Sequence, residues 1–217
     1  MHLFRLNKVG HIAACIHSHF YKRSQYFPKT AIKELLPIEA LMNEHRLIER
    51  MIPPIRKELL KMEEKAVVDS KFVEIIVDFI RIYADRCHHG KEEGVLFREL
   101  SKKPISTEHA TMMKGLIEEH VYTRKTTSNL EKANQRYING DIEAREALGK
   151  FLNDLAEFYS KHIEKEDKQF FYPSMEYFSP REQEMMLQEF WDFDRRLVHE
   201  NYSRVLGELE GSGSVQH

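Results

Sequence analysis

Cysteine is nearly missing from this chain, and the chain has neither an excess of basic residues nor a long apolar run. Cys15 and Cys87 are the only cysteines among 217 residues, which excludes a disulfide framework and predicts a reducing compartment, the cytoplasm. Lys and Arg number 33 against 35 Asp and Glu, so no surplus positive charge is available for a nucleic-acid partner. No apolar stretch approaches the ~20 residues of a bilayer span, so we expect no membrane partner.

Glycine and proline are also sparse, with 9 and 7 residues in the whole chain. Hydrophobic residues make up 41% of it, which argues against a disordered protein. From Thr30 onward, long stretches without glycine or proline repeat apolar side chains every three or four residues, which predicts helices. Strand alternation is absent. The length allows one sizeable core with an appended piece.

Four helical seams follow one another along the chain. The first begins at Pro37, a favoured first residue of a helix, and Pro53 and Pro54 predict a kink or break near Met51. The second seam places the following residues on one face: Phe72, Ile75, Phe79, Ile82, Arg86, His89, Glu93, Leu96 and Leu100.

The third seam follows a capping stretch at residues 106–108 and stops at Asn139-Gly140-Asp141. The fourth runs from Leu148 and ends before Pro173. Four helices of roughly 20 to 30 residues joined by short loops predict an all-α fold, an antiparallel up-down four-helix bundle. We assign the bundle to residues 31–175.

Both flanks of the bundle differ from it. Residues 1–30 are predicted to be an irregular N-terminal extension, in which the following histidines have no regular spacing: His2, His11, His17 and His19. Residues 176–210 predict a further amphipathic helix after Pro180, which either caps the bundle or pairs with a partner protein or a second copy of the chain. Residues 211–217 are predicted to be a flexible tail.

Histidine and glutamate one helical turn apart can share a metal ion. Such pairs occur four times, only a modest excess over chance: His45 with Glu49, His88 with Glu92, His89 with Glu93, and His162 with Glu166. Position is more informative than spacing, because one histidine of each helix lies on its apolar seam: His45, His89, His120 and His162. An unpaired imidazole in a core costs a few kcal/mol, so four at one level predict a metal centre.

The second helix leaves two choices open, because its two overlapping pairs cannot both point fully inward in a regular helix. Helical phase favours His89 and Glu93, which we prefer. The internal match of residues 88–97 with 162–171 instead favours His88 and Glu92, the counterparts of His162 and Glu166. A helix irregularity near Gly90 would reverse the preference.

These residues resemble the hemerythrin family, in its HHE cation-binding branch of bacteria and archaea. The matching pieces are residues 43–46 (NEHR), 88–93 (HHGKEE) with Leu96-Phe97, 118–120 (EEH) with Arg124, and 162–167 (HIEKED) ahead of Pro173. The resemblance implies a non-haem diiron centre with an oxo or hydroxo bridge. Two glutamates would bridge the irons, Glu166 and either Glu93 or Glu92, and histidines would fill the outer positions. Leu116 stands where the oxygen-carrying members have a fifth histidine, which puts oxygen carriage in doubt.

Mixed imidazole and carboxylate ligands also favour iron over structural zinc on chemical grounds. The sequence therefore predicts a diiron protein that binds, senses or reacts with a small ligand: dioxygen, nitric oxide or peroxide. Two alternatives stay open. One is a diiron enzyme that reduces nitric oxide or peroxide, and the other is a helical interaction module with a structural or stored metal.

Overall fold

The computed structural model describes the backbone of residues 36–212 and the side chains of residues 36–197. The predicted extension at residues 1–30, with its four histidines, lies outside the described residues, as do residues 213–217 of the predicted tail. Within the described part, all regular structure is helical. We number the helices α1 to α6.

The first rod of the bundle is interrupted where its two prolines predict. Helix α1 spans Pro37–Glu49 and α2 spans Ile52–Lys65. Arg50 and Met51, between them, keep right-handed helical backbone angles, so α2 follows α1 without a loop. The predicted break near Met51 is confirmed, since proline removes a backbone donor from the helical ladder.

The second rod, α3, changes its hydrogen-bonding pattern along its length. It begins in α form over Ser70–Phe79, continues in π form over Ile80–His89 and Glu92–Phe97, and ends in α form over Arg98–Leu100. A π-helix bonds each N–H to the fifth preceding carbonyl instead of the fourth, and such stretches often accompany functional sites. The irregularity considered near Gly90 is therefore present.

The third rod, α4, spans Thr107–Ile138. The Ser106 hydroxyl caps its start by accepting a hydrogen bond of 3.1 Å from the backbone N–H of His109, as the predicted capping stretch requires. After Ile138, Gly140 adopts a φ of 96°, a left-handed conformation that glycine tolerates and that ends the helix.

The fourth rod, α5, spans Ala144–Lys165 and continues through a π segment, Glu166–Phe170, into a last α turn, Phe171–Met175. The expectation that this helix ends before Pro173 is wrong. Pro173 lies in the first turn of the last segment, where a backbone N–H is not needed for the helical ladder.

The four rods pack side by side. Helix α5 contacts α2 and α4, α3 contacts α4, and the π-helical part of α3 contacts α1. Because the rods are joined by short connections, consecutive rods run in opposite directions, and the predicted all-α bundle is confirmed.

Two hydrophobic clusters fill the bundle, one on each side of a polar layer. One includes Ile48, Leu130 and Leu152, and the other includes Leu41 and Leu116. Each rod therefore passes from one apolar cluster to the other, and the polar layer lies in between. Apolar packing on both sides keeps water from this layer.

Helix α6 spans Pro180–Ser212 and packs on α1 and on both π-helical stretches of α3. Met186, Leu187 and Phe190 are buried in the cluster that contains Leu41. The described side chains of this helix thus cover α1 and α3, and its pairing with a partner protein or a second copy stays a prediction. None of the described helices combines the length and the apolar character needed to cross a bilayer.

Candidate metal centre

The polar layer is a group of buried histidines and glutamates supplied by α1, α3, α4 and α5. Their ligand-type atoms form two overlapping groups, each with all atoms within 4.8 Å of one another: His89, Glu92, His120 and His162, and His45, His88, Glu92 and Glu166. None of these side chains is more than 2% exposed. The structure thus brings together seven of the eight predicted ligands, and leaves out Glu93.

Each of the two central carboxylates lies between histidines of both groups. The Glu92 oxygens are 3.3 Å from His88 Nε2 and 3.4 Å from His120 Nε2. Glu166 Oε2 is 3.2 Å from His45 Nε2 and 3.3 Å from His162 Nε2. This is the position from which a carboxylate can bridge two metal ions.

Four of the histidines are oriented from outside the centre by a carboxylate on a neighbouring rod. The Nδ1···O pairs are His45 with Asp167 at 2.7 Å, His88 with Glu44 at 3.0 Å, His120 with Glu93 at 2.7 Å, and His162 with Glu119 at 2.8 Å. An ionised carboxylate only accepts, so Nδ1 carries the proton and Nε2 keeps a lone pair towards the centre. Metal-binding histidines are commonly oriented in this way.

A basic side chain contacts each of these outer carboxylates. The pairs are Arg46 with Asp167, Lys91 with Glu44, Arg124 with Glu93, and Lys165 with Glu119. The pattern repeats in the two halves of the chain: Glu44-His45 matches Glu119-His120, and residues 88–93 match 162–167. The centre therefore has an approximate two-fold symmetry that relates α1 to α4 and α3 to α5.

The inward-facing atoms have no hydrogen-bond partner. They include Nε2 of His45, His88, His120 and His162, and both carboxylate oxygens of Glu92 and Glu166. With only Nδ1 protonated and the carboxylates ionised, an imidazole lone pair would face a carboxylate lone pair across 3.2 to 3.4 Å. Buried polar atoms left in this way cost several kcal/mol. A cation between them removes that cost, so the residues fit a metal site.

Protons supply part of this positive charge in the metal-free protein. Burial lowers the pKa of His45, but the nearby carboxylates of Asp167 and Glu166 outweigh it and raise that pKa to about 9. Burial beside Glu166 holds the pKa of Glu92 well above its ordinary value. The pKa of Glu166 lies well below its ordinary value, because His162, His120 and His45 outweigh its burial.

We expect the metal-free protein to lose stability as the pH rises from 6.5 to 9. A pKa of His45 raised from 6.5 to about 9 contributes stability that is complete below pH 6.5 and lost through pH 9, on the order of 2 to 3 kcal/mol. Urea unfolding at the two pH values, in excess chelator, measures the change. A free energy of unfolding that is equal or higher at pH 9 would contradict this assignment.

His89 stands apart from the symmetric pattern, since its counterpart in α5 is Ile163. Both of its ring nitrogens are buried without a partner, and its ring stacks on that of His120 with 3.8 Å between centroids. Nδ1 is 3.4 Å from Asp85, whose carboxylate accepts a 2.7 Å hydrogen bond from Arg124. Burial and the neighbouring His120 hold the pKa of His89 well below its ordinary value, so it is neutral.

The preference for Glu93 over Glu92 does not agree with the structure. Glu92 is fully buried at the centre, whereas the Glu93 side chain is 30% exposed and holds His120 from outside. Only one of the two overlapping pairs, His88 with Glu92, lies fully inside, as expected, although His89 is buried as well.

The physical reason is the register of α3. We predicted a seam through Phe72 and Ile75, but Ile75 is 41% exposed, and the buried residues are instead Val73, Ile76 and Ile80. From Ile76 the buried residues then recur every four residues, through Ile80, Ala84 and His88 to Glu92. The predicted seam instead keeps the α-helical period and leads to His89 and Glu93. In addition, a π-helix has more residues per turn than an α-helix, so adjacent side chains such as His88 and His89 can share a broad inner face.

Aromatic rings enclose the centre. Phe171 stacks on His45 and Phe158 on His162, with centroids 5.5 and 4.9 Å apart. Sequence reasoning did not assign a role to the outer carboxylates of Glu44, Glu119 and Asp167. Two repeats in the sequence could have identified them: glutamate precedes histidine at residues 44–45 and 119–120, and an acidic residue follows each central glutamate, at Glu93 and Asp167.

The fold and the centre together define a metal-binding helical bundle. The family model for the hemerythrin HHE cation-binding domain matches residues 36–173, which contain every residue of the two ligand groups. The chain therefore belongs to the hemerythrin family, and the resemblance inferred from the sequence is confirmed. Comparisons with curated proteins and with solved structures give no match.

Proposed function

We propose that the centre holds two iron ions, and that the protein binds and senses a small oxidising ligand through them. The observation that carries the proposal is the placement of Glu92 and Glu166, each between histidines of both ligand groups. His45 and His88 would hold one iron. His120 and His162 would hold the other, together with His89, and both carboxylates would be shared.

The uneven share of histidines has a chemical consequence. With three imidazoles on one side and two on the other, the iron beside His45 and His88 would have one protein ligand fewer. Iron in such a position supplies redox chemistry and affinity for dioxygen, nitric oxide or peroxide. The third histidine comes from α3, next to His88, and Leu116 remains an apolar core residue. The absence of a histidine at Leu116 therefore does not limit this centre to four imidazoles.

Iron content tests the proposal. Protein purified from iron-supplied cells is expected to carry about two irons per chain, because every ligand is buried and already oriented. Oxidised protein should show the near-ultraviolet absorption of a bridged diferric centre. A His120→Ala variant should lose the metal, and His109→Ala, outside both ligand groups, should retain it. Iron below about one per chain in the unaltered protein would overturn the proposal.

Mixing experiments identify the reactant and the type of reaction. Reduced, iron-loaded protein is mixed separately with dioxygen, nitric oxide and hydrogen peroxide while its absorption is recorded. One stable spectral change per iron pair supports a binding or sensing protein, and continued consumption of the oxidant with added reductant supports an enzyme. The contact of α6 with α1 and α3 favours sensing, because a sensor needs an element that can respond to the centre.

A further inference from the structure

A fully enclosed lysine lies directly behind the metal centre. Lys91 is 2% exposed, and its ammonium group contacts the Glu44 carboxylate and, at 2.9 Å, Asp194 Oδ1 of helix α6. The other Glu44 oxygen accepts the hydrogen bond from His88 Nδ1 at 3.0 Å. Asp194 of α6 is thus connected to His88 by three successive contacts, through Lys91 and Glu44.

The second half of the bundle offers an internal comparison. There, Lys165 contacts Glu119, and Glu119 accepts from His162 Nδ1. The arrangement is the same, but the side chains of Lys165 and Glu119 are 31% and 30% exposed. The first set differs because α6 covers it and adds a carboxylate.

The covering helix fits closely against α3 at this point. A Cβ atom added to Gly90 would lie 2.7 Å from Cζ of Phe193, so the absence of a side chain at Gly90 lets α6 approach. Asp194 follows directly in sequence, and its Oδ1 also accepts a 3.4 Å contact from Cys87 Sγ. Glycine is suited to such close approaches.

These contacts are not a third metal site, although Glu44, Cys87 and Asp194 bring three ligand-type atoms together. The ammonium of Lys91 already contacts both carboxylates, which is where a cation would bind. Burial raises the pKa of the Cys87 thiol well above its ordinary value, so no thiolate is available.

We infer that Asp194 and Lys91 are positioning residues for His88, acting through Glu44, and that docking of α6 and iron occupancy of the centre therefore stabilise each other. The inference rests on the proposed function, because it takes His88 as a ligand. Thermodynamic linkage makes the effect reciprocal: a helix that favours iron binding when docked is itself docked more firmly when iron is bound.

The test compares two neutralised acids on α6. In Asp194→Asn the carboxylate that contacts Lys91 is replaced by an uncharged amide. The control, Glu189→Gln, removes a surface ion pair between α6 and Arg98. Neither residue of that pair contacts Asp194, Lys91 or Glu44. We expect ferrous iron to leave Asp194→Asn roughly tenfold faster in the presence of a chelator, in line with losses of outer carboxylates elsewhere. Glu189→Gln should stay within about twofold of the unaltered protein, and Asp194→Glu should recover most of the difference.

A second measurement needs no variant. Trp191 is the only tryptophan of the chain and lies on α6, partly buried against the bundle. In the unaltered protein, removal of iron should increase the access of acrylamide to Trp191 and shift its emission maximum to longer wavelength. In Asp194→Asn the two forms should give nearly equal values.

The outcomes separate the inference from the proposed function. If the unaltered protein retains no iron, the proposed function fails and the inference fails with it. If it retains iron, but Asp194→Asn releases iron at the rate of Glu189→Gln and Trp191 does not respond to iron, the inference alone is overturned. Faster release in Asp194→Asn alone, with a response of Trp191, supports both.

Discussion

Replacement of Glu92 by glutamine is expected to abolish iron retention while leaving the metal-free fold intact. Glu92 is fully buried between His88 and His120, and an uncharged amide there cannot neutralise two cations. The affinity for iron should fall by more than about 100-fold, beyond the effect of losing an outer partner. In the metal-free protein, burial beside Glu166 raises the pKa of Glu92 well above its ordinary value, which favours the protonated form, and glutamine resembles that form in shape and charge.

Glu93→Gln is the matched control, one residue away on the same helix. Glu93 accepts a hydrogen bond from His120 Nδ1, which a glutamine oxygen can also accept, so iron should be retained with at most about tenfold weaker affinity. Iron per chain after gel filtration and the melting temperature in chelator are measured for both variants. If Glu93→Gln loses the iron and Glu92→Gln keeps it, the assignment of Glu92 to the centre and of Glu93 to the outside is wrong.

Lys91→Ala is expected to destabilise the metal-free protein by about 3 to 5 kcal/mol, the usual cost of leaving a buried charge without its partner. Burial raises the pKa of Glu44, but Lys91 and His88 outweigh it and lower that pKa to about 2, so the carboxylate stays ionised at neutral pH. Without Lys91, the buried Glu44 carboxylate would have no positively charged partner beside His88 and Asp194. Urea unfolding in excess chelator at pH 7 gives the change in free energy.

Lys165→Ala supplies the comparison, because Lys165 contacts Glu119 as Lys91 contacts Glu44. Its surroundings are accessible to water, and exposed pairs contribute about 0 to 1 kcal/mol. The difference between the two variants therefore isolates the effect of burial. Equal losses of stability for both would show that the cover formed by α6 does not exclude water from Lys91.

Most of the fold follows from local patterns. The helical period, the paired prolines before Ile55, the cap at Ser106 and the stop at Gly140 each determine a feature that the structure contains. Pro173 does not end its helix, because it lies in the first turn of the segment that follows a π-helical stretch, where proline is tolerated.

The ligands could be predicted on helices where a single face is apolar, but not on α3, where the choice depends on the helical register. His45, His120 and His162 lie on seams flanked by apolar residues on one face only. On α3 the α-helical period leads from Ile75 to His89 and Glu93. The π-helical stretches lengthen the period to about four residues, so the buried series runs instead from Ile76 through His88 to Glu92. The internal match between the two halves indicated Glu92, because it compares residues with the same neighbours and does not depend on the register of one helix.

The four outer hydrogen bonds also bear on the handedness of the bundle. Followed from histidine to carboxylate, they lead from α1 to α5, from α5 to α4, from α4 to α3 and from α3 back to α1. Such a closed circuit has a direction. In a bundle with the rods arranged in the opposite sense, each histidine would face away from the rod that supplies its carboxylate. Hydrophobic seams fit either arrangement almost equally well, so this polar layer selects which of the two mirror-related arrangements the chain adopts.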